Sequence, residues 1–266
     1  MNNALCYVHY GCDPYYNMAV DEFLFQQALN KPSAIYLRLY TWSEGAITFG
    51  YNQNVEKAVN HKKLGSTPLI RRVTGGRALF HDLSELTYAI IVNTEHLDNE
   101  KITGSLNKTS KSISEALIGF LSELKLTSHY VRHSLDSKKG PKFFHSAPCF
   151  ESASKYEVES NGKKIIASAQ RRIGNSLLQH GSIKINGVAD HPALKLSSTG
   201  FSSNGSQTLS SSHFNVLQEI FFNKMAEFLG LNVNRIQFSD SETELIRNYS
   251  KNLKKNSYFK RNIVKQ

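Results

Sequence analysis

The residues in this chain best placed to do chemistry fall in two segments. The first is Arg71-Arg72-Val73-Thr74-Gly75-Gly76-Arg77-Ala78-Leu79-Phe80-His81-Asp82. Two adjacent glycines let a backbone approach a ligand closely or adopt positive φ. Three arginines and a histidine crowd the same turn, with donors suited to a carboxyl, a phosphate or an acyl carbonyl. The same pattern also fits a tight turn carrying solvated arginines. The second segment holds Pro148-Cys149-Phe150-Glu151 and, after an Asn161-Gly162 pair, Lys163-Lys164-Ile165-Ile166-Ala167-Ser168-Ala169-Gln170, then Leu178-Gln179-His180-Gly181-Ser182. An ammonium near a thiol lowers its pKa from about 8.5 and raises the thiolate fraction. Lys164 follows the Asn-Gly turn and is within reach of Cys149 by that logic. Spacing alone leaves the alternative of an inert cysteine open.

Other chemistries have no matching pattern. Gly104-Ser105-Leu106-Asn107-Lys108-Thr109 lacks the second glycine of a phosphate-binding loop, and no G-x-G-x-x-G occurs. His129 and His133 are four apart but fall in an apparent strand with no third ligand indicated, so no metal site is expected. Cys6, Cys12 and Cys149 form neither a disulfide framework nor a CxxC pair, which fits a reduced, cytoplasmic setting.

The elements that must position these residues follow from periodicity. Asn17 to Leu29 reads as a helix with Asn17 as a possible N-cap. Ala34 to Tyr40, Gly45 to Phe49, Pro68 to Val73 and Thr87 to Val92 read as strands. Ser105 to Leu126 places Ile113, Leu117, Phe120, Leu121 and Leu124 on one helical stripe. Ser154 to Glu159, Lys164 to Arg171 and Leu177 to Ile185 read as three successive strands, the first two joined by an Asn-Gly hairpin turn. His213 to Leu229 is helical, and Asp240 to Tyr249 begins a capped helix. Ser134 to Ser146 and Ser197 to Ser212 read as loops. Strands and helices without regular βαβ alternation predict an α/β (α+β) fold with mixed, largely antiparallel sheets flanked by helices.

At 266 residues, 40% hydrophobic and 20% charged, the chain is long and apolar enough for a substantial core, which excludes a disordered chain. No apolar run reaches about 18 residues, so no membrane span is expected, and the N-terminus shows no signal peptide pattern. The net charge is +10. Residues 251–266 carry six basic side chains and no acid, and without them the basic excess falls from ten to four. Such a tail suits nucleic acid, an anionic membrane or an acidic protein, and equally a solvated terminus. No RNA-binding aromatic motif or zinc knuckle accompanies it, so no nucleic-acid partner is expected.

Taken together, RRVTGGRALFHD, GKKIIASAQRR and LQHGSI, with NMAVDEFL and YTW…GAITFGYNQN before them, resemble the lipoate–protein ligase and octanoyltransferase superfamily. That superfamily shares its catalytic fold with biotin–protein ligases. The resemblance spans roughly Tyr16 to Ile185 and implies a biotin/lipoate ligase-like catalytic domain over residues 1–250. A short helical C-terminal extension and a basic tail at 251–266 complete the chain.

Arg77 stands where many ligases carry a third glycine. PCFESASKYEV is similar to the cysteine segment of the thiol-type octanoyl-[acyl carrier protein]:protein octanoyltransferases. The resemblance therefore implies Cys149 as thioester carrier and Lys164 as its activating lysine. It implies substrate contacts from Arg72, Gly75, Gly76, Arg77, His81, Ser168, Gln170, His180 and Gly181. The implied partners are octanoyl-acyl carrier protein and a lipoyl-domain or glycine-cleavage H-type acceptor, for a cytoplasmic monomer needing no cofactor. Two relatives of that activity stay open: ATP-dependent lipoate ligation, which would require ATP and Mg and no cysteine, and octanoyl amidotransfer between lipoyl carrier proteins.

Overall fold

The computed structural model describes residues 1–132, 155–160, 163–186, 190–194 and 208–256. In chain order the elements are β1 (Asn2–Cys12), α1 (Pro14–Leu29), β2 (Ile35–Trp42), β3 (Ala46–Phe49), α2 (Val55–Ala58), a 3-10 turn (His61–Lys63), β4 (Leu69–Arg71), β5 (Leu79–His81) and β6 (Leu86–Asn93). Then come α3 (Glu100–Thr103), α4 (Leu106–Glu123), β7 (His129–Arg132), β8 (Lys155–Ser160), β9 (Lys163–Ile173), β10 (Ser176–Ile183), α5 (Ser211–Leu229), β11 (Leu231–Arg235) and α6 (Asp240–Lys255).

Eight strands form one sheet in the order β11-β1-β2-β6-β10-β9-β8-β7, and three form a smaller sheet in the order β4-β3-β5. In the large sheet β1 runs parallel to both β2 and β11, and the other five pairings are antiparallel. The mixed, largely antiparallel α/β architecture expected from the sequence is what forms. β2, β6 and β10 are buried along their whole length, because the sheet is covered on both faces. One face packs Leu37, Tyr88 and Ile90 against Ile113, Leu117 and Phe120 of α4 and Phe214, Leu217 and Phe221 of α5. The other packs Tyr36, Ala89, Ile91 and Leu178 against Ala19, Val20, Phe23 and Leu24 of α1, with Ile246 of α6 joining at the edge. The small sheet has its own core around Ile47, Phe49, Val55, Leu64 and Leu69.

Several expectations are corrected. Asn17 is not the N-cap of α1. Asp13 is, its carboxylate accepting from the Tyr15 and Tyr16 amides, with Pro14 at the first helical position. Asn17 lies inside the helix because its amide bridges the carbonyls of Cys12 and Thr41. β1 carries no clean alternation and is not anticipated by the sequence reading, nor is β11, whose parallel pairing with β1 brings the C-terminal residues into the main sheet. α4 is capped by Ser105 but stops at Glu123. The capping box on α6 is present, Ser239 and Glu242 bonding reciprocally, and the helix continues to Lys255, so Lys251, Lys254 and Lys255 are helical. The expected loop at Ser134 to Ser146, His133 and the Asn161-Gly162 pair lie outside the described residues, though β8 and β9 pair on either side of that pair as a hairpin requires. No helix among the described residues is long and apolar enough to cross a membrane.

Candidate active site

The arginine-glycine segment and the β9–β10 hairpin meet on the α1 face of the large sheet. Between them lies a cavity floored by Tyr40, Thr87 and Ser182 and walled by Arg72, Leu79 and His81 from the small-sheet side. Met18 of α1, His180 and Gly181 of β10, and Ala167, Ser168 and Ala169 of β9 complete it. The floor residues are buried. Small residues, Ala167, Ser168, Ala169 and Gly181, line it from β9 and β10.

The turn that borders it is built as the glycines suggested. Gly76 has φ +88, and a Cβ there would sit 3.1 Å from Arg72 Nη2 and 3.3 Å from Ala169 Cβ. Gly50 packs so tightly on this turn that a Cβ would collide with the Gly76 carbonyl. Arg72 is buried, its Nη2 donating to the carbonyls of Gly75 (3.0 Å) and Arg77 (2.9 Å). The reading of a turn with merely solvated arginines therefore fails at Arg72. Arg71 is exposed but staples the loop before it, donating to the Tyr51 carbonyl at 2.7 Å and lying 4.5 Å over the Phe49 ring.

Two buried polar networks hold the walls. In the first, the Asp21 carboxylate accepts from Arg38 Nη1 (2.6 Å), the Tyr40 hydroxyl (2.9 Å) and His180 Nδ1 (2.8 Å). His180 Nε2 meets the Thr74 hydroxyl at 2.6 Å, tying β10 to the glycine turn. Burial alone would raise the Asp21 pKa, but Arg38 and His180 outweigh it and lower it. In the second, the Glu85 carboxylate accepts from His81 Nδ1 (2.6 Å), Trp42 Nε1 (3.1 Å), Thr87 Oγ1 (2.7 Å), Ser182 Oγ (2.8 Å) and Lys184 Nζ. Lys184 also donates to Asp82 at 2.7 Å. Burial pushes the Glu85 carboxyl up, and Lys184 and His81 override it to hold it at about 2. Burial dominates at His81 and lowers it against the pull of Glu85, while Lys184 is raised because its two carboxylates outweigh burial. Both hubs draw the hydrogen bonds of Tyr40, Thr87 and Ser182 away from the cavity, so polar residues present it with rings, methyls and methylenes.

Of the residues expected at the site, Arg72, His81, Ser168, His180 and Gly181 line the cavity. Gly75 and Gly76 border it through Arg72 and Ala169, and half-buried Arg77 contributes its carbonyl to the Arg72 clamp. Gln170 instead bonds Ser110 of α4 and Gln179, and is not among the lining residues. Lys164 is half-buried on β9 beside a register shift of the β8–β9 pair, opposite Glu159. It stands three residues, about 10 Å along the strand, from Ala167 of the cavity wall. Cys149 lies outside the described residues. Cys6 is buried, which pushes its thiol up to about 12, and burial likewise raises Cys12.

The sequence reading missed Asp21, Arg38, Thr48, Trp42, Glu85 and Lys184. One signal was available: Arg38 and Lys184 are charges at the heart or the end of strands that are otherwise apolar, and a buried charge demands a buried partner.

A mixed sheet carrying an arginine-clamped glycine turn over a slot-like cavity defines a class, and the sequence comparison agrees with it. Residues 13–228 match the lipoyl protein ligase A/B catalytic domain, and the chain belongs to that family. It is 37% identical over 190 residues to the octanoyltransferase LipM of Bacillus cereus, covering 68% of this chain and 65% of that protein. It is 40% identical over 172 residues to the octanoyltransferase LipM of Carboxydothermus hydrogenoformans, covering 64% and 60%. The chain thus spans somewhat less than two thirds of the length of these relatives. Among solved structures the fold is similar to a lipoate-protein ligase A bound with ATP (TM-score 0.69, 19% identity, 94% of this chain and 95% of that one). It is also similar to a bi-partite lipoate protein ligase from Thermoplasma acidophilum (TM-score 0.66, 18% identity, 94% and 92%).

Proposed function

We propose that this protein is an octanoyltransferase that moves an octanoyl group from acyl carrier protein to a lysine of a lipoyl-domain or glycine-cleavage H-type protein. The observation that carries this reading is the company the cavity keeps. A slot with methyl, methylene and ring walls lies beside the arginine-glycine turn in a chain whose sequence relatives are octanoyltransferases. An apolar acyl chain gains about 0.8 kcal/mol per buried methylene in such a slot.

In the reaction, the Cys149 thiolate attacks the thioester carbonyl of the octanoyl carrier. A new thioester forms on Cys149, and the carrier thiolate leaves and takes a proton. The ε-amine of the acceptor lysine then attacks the acyl-enzyme. An amide forms, the amine loses a proton, and the Cys149 thiolate is regenerated. Thioester exchange is near isoenergetic and amide formation is downhill, so the reading requires no ATP or metal. Covalent catalysis divides one transfer between two proteins into two encounters. Lys164 favours the thiolate and polarises the carbonyl, and Arg72, held against the glycine turn, walls the acyl cavity. Net positive charge suits an acidic carrier.

The test is Cys149→Ser. It should abolish octanoyl-carrier turnover, falling by at least about 1000-fold, as loss of a covalent nucleophile does. If Cys149→Ser modifies lipoyl domains normally from free acid and ATP, the activity is ligation instead.

A further inference from the structure

The proposed acyl site rests on a hydrogen-bonded relay of Glu85, His81, Thr48 and Arg72, in which Glu85 and Thr48 are not lining residues. Glu85 is fully buried and ionised, so toward its neighbours it can only accept. His81 Nδ1, 2.6 Å away, must therefore carry the ring proton. Arg72 Nη1 donates to Thr48 Oγ1 at 2.7 Å, which leaves the Thr48 proton directed at His81 Nε2, also 2.7 Å away. That assignment makes His81 a neutral imidazole with both nitrogens engaged, stacked 4.1 Å from the Trp42 ring. It has no lone pair left for proton transfer. The groups facing it are Glu85, Lys184 and Arg72, and with burial the two cations oppose a second proton.

We propose that Thr48 and Glu85, neither of which lines the cavity, are positioning residues for the cavity-lining arginine: Glu85 fixes the tautomer of His81, His81 fixes the hydroxyl rotor of Thr48, and Thr48 fixes the guanidinium of Arg72. Arg72 in turn holds the Gly75–Arg77 turn through two carbonyls. His81 is then a member of the relay and not a proton carrier. The effect on octanoyl transfer rests on the proposed function, whereas the relay itself is a property of the fold.

Two measurements separate these. Long-range proton–nitrogen NMR of the full chain at about pH 8, with His81 assigned by its loss in His81→Gln, should show the neutral Nδ1–H tautomer. An Nε2–H tautomer overturns the relay whatever the enzyme does. Thr48→Val removes the hydroxyl at nearly constant shape. It should raise KM for octanoyl-carrier about tenfold, the worth of one charge-assisted hydrogen bond, with a smaller change in kcat, and Thr48→Ser should restore it. A Thr48→Val enzyme with wild-type melting and wild-type KM overturns the proposal, as does failure of Thr48→Ser to rescue. If wild-type protein forms no acyl-enzyme, the transferase reading falls, and the tautomer measurement still decides the relay.

Discussion

Glu85 and His81 are both held away from their ordinary protonation behaviour, and in the same sense for stability. Glu85 has an ordinary value of 4.5 and sits at about 2 when folded. Above 4.5 both folded and unfolded chains are ionised, and the stabilisation is fully present. As pH falls from there toward 2 the unfolded chain takes up the proton first and the stabilisation is lost. His81 is lowered from 6.5, so below that value the unfolded chain binds a proton that the folded chain refuses. Both effects predict a urea midpoint that drops steadily from pH 7 to pH 4. Glu85→Gln should lower the unfolding free energy at pH 7 by roughly 3 kcal/mol, because buried Lys184 loses one of its two carboxylates and keeps Asp82 and the Phe80 carbonyl. It should also flatten the pH dependence below about 5, and an unchanged slope there would show that Glu85 is not the responsible carboxyl. At this scale the sequence was partly legible. Arg72 and His81 stood out because arginines and a histidine crowd a Gly-Gly turn, and His180 came only with the family resemblance. Asp21 in α1, Thr48 in β3 and Glu85 just before β6 did not stand out, because a lone carboxylate or hydroxyl looks like an exposed residue until its partner arrives from another segment.

Two elements decide the shape of the cavity, the glycine turn and the small-residue strand β9. Gly50 meets Gly76 with no room for a side chain. Gly50→Ala should cost about 1–3 kcal/mol by overpacking and shift the turn that Arg72 holds, read as a lower melting temperature together with a raised KM. Ala169 faces the slot from β9. Ala169→Leu should reduce octanoyl transfer at least about tenfold while leaving the melting temperature close to wild type, since the new side chain fills the cavity. Undiminished transfer would place the acyl chain elsewhere. Strands with strong alternation or continuous apolar runs, such as β2, β6 and β10, were readable because burial on a sheet imposes those patterns. β1 was not, because its two faces meet different partners along its length and its pairing with β11 joins residues more than 220 apart.

For the whole molecule, the mixed sheet with helices on both faces was expected, and the family assignment confirms the reading of several motifs in order. Register across the sheet was not accessible, because it is fixed by contacts between distant segments that no local spacing records. The central claim is that Cys149 carries the acyl group between two proteins. Intact-mass spectrometry of the purified chain incubated with octanoyl-carrier, without ATP, tests it most directly. The expected result is a gain of one octanoyl group that is absent in Cys149→Ser and disappears when a lipoyl-domain acceptor is added. A wild-type mass that never changes, with lipoyl domains nonetheless modified only when free octanoate and ATP are supplied, would contradict it.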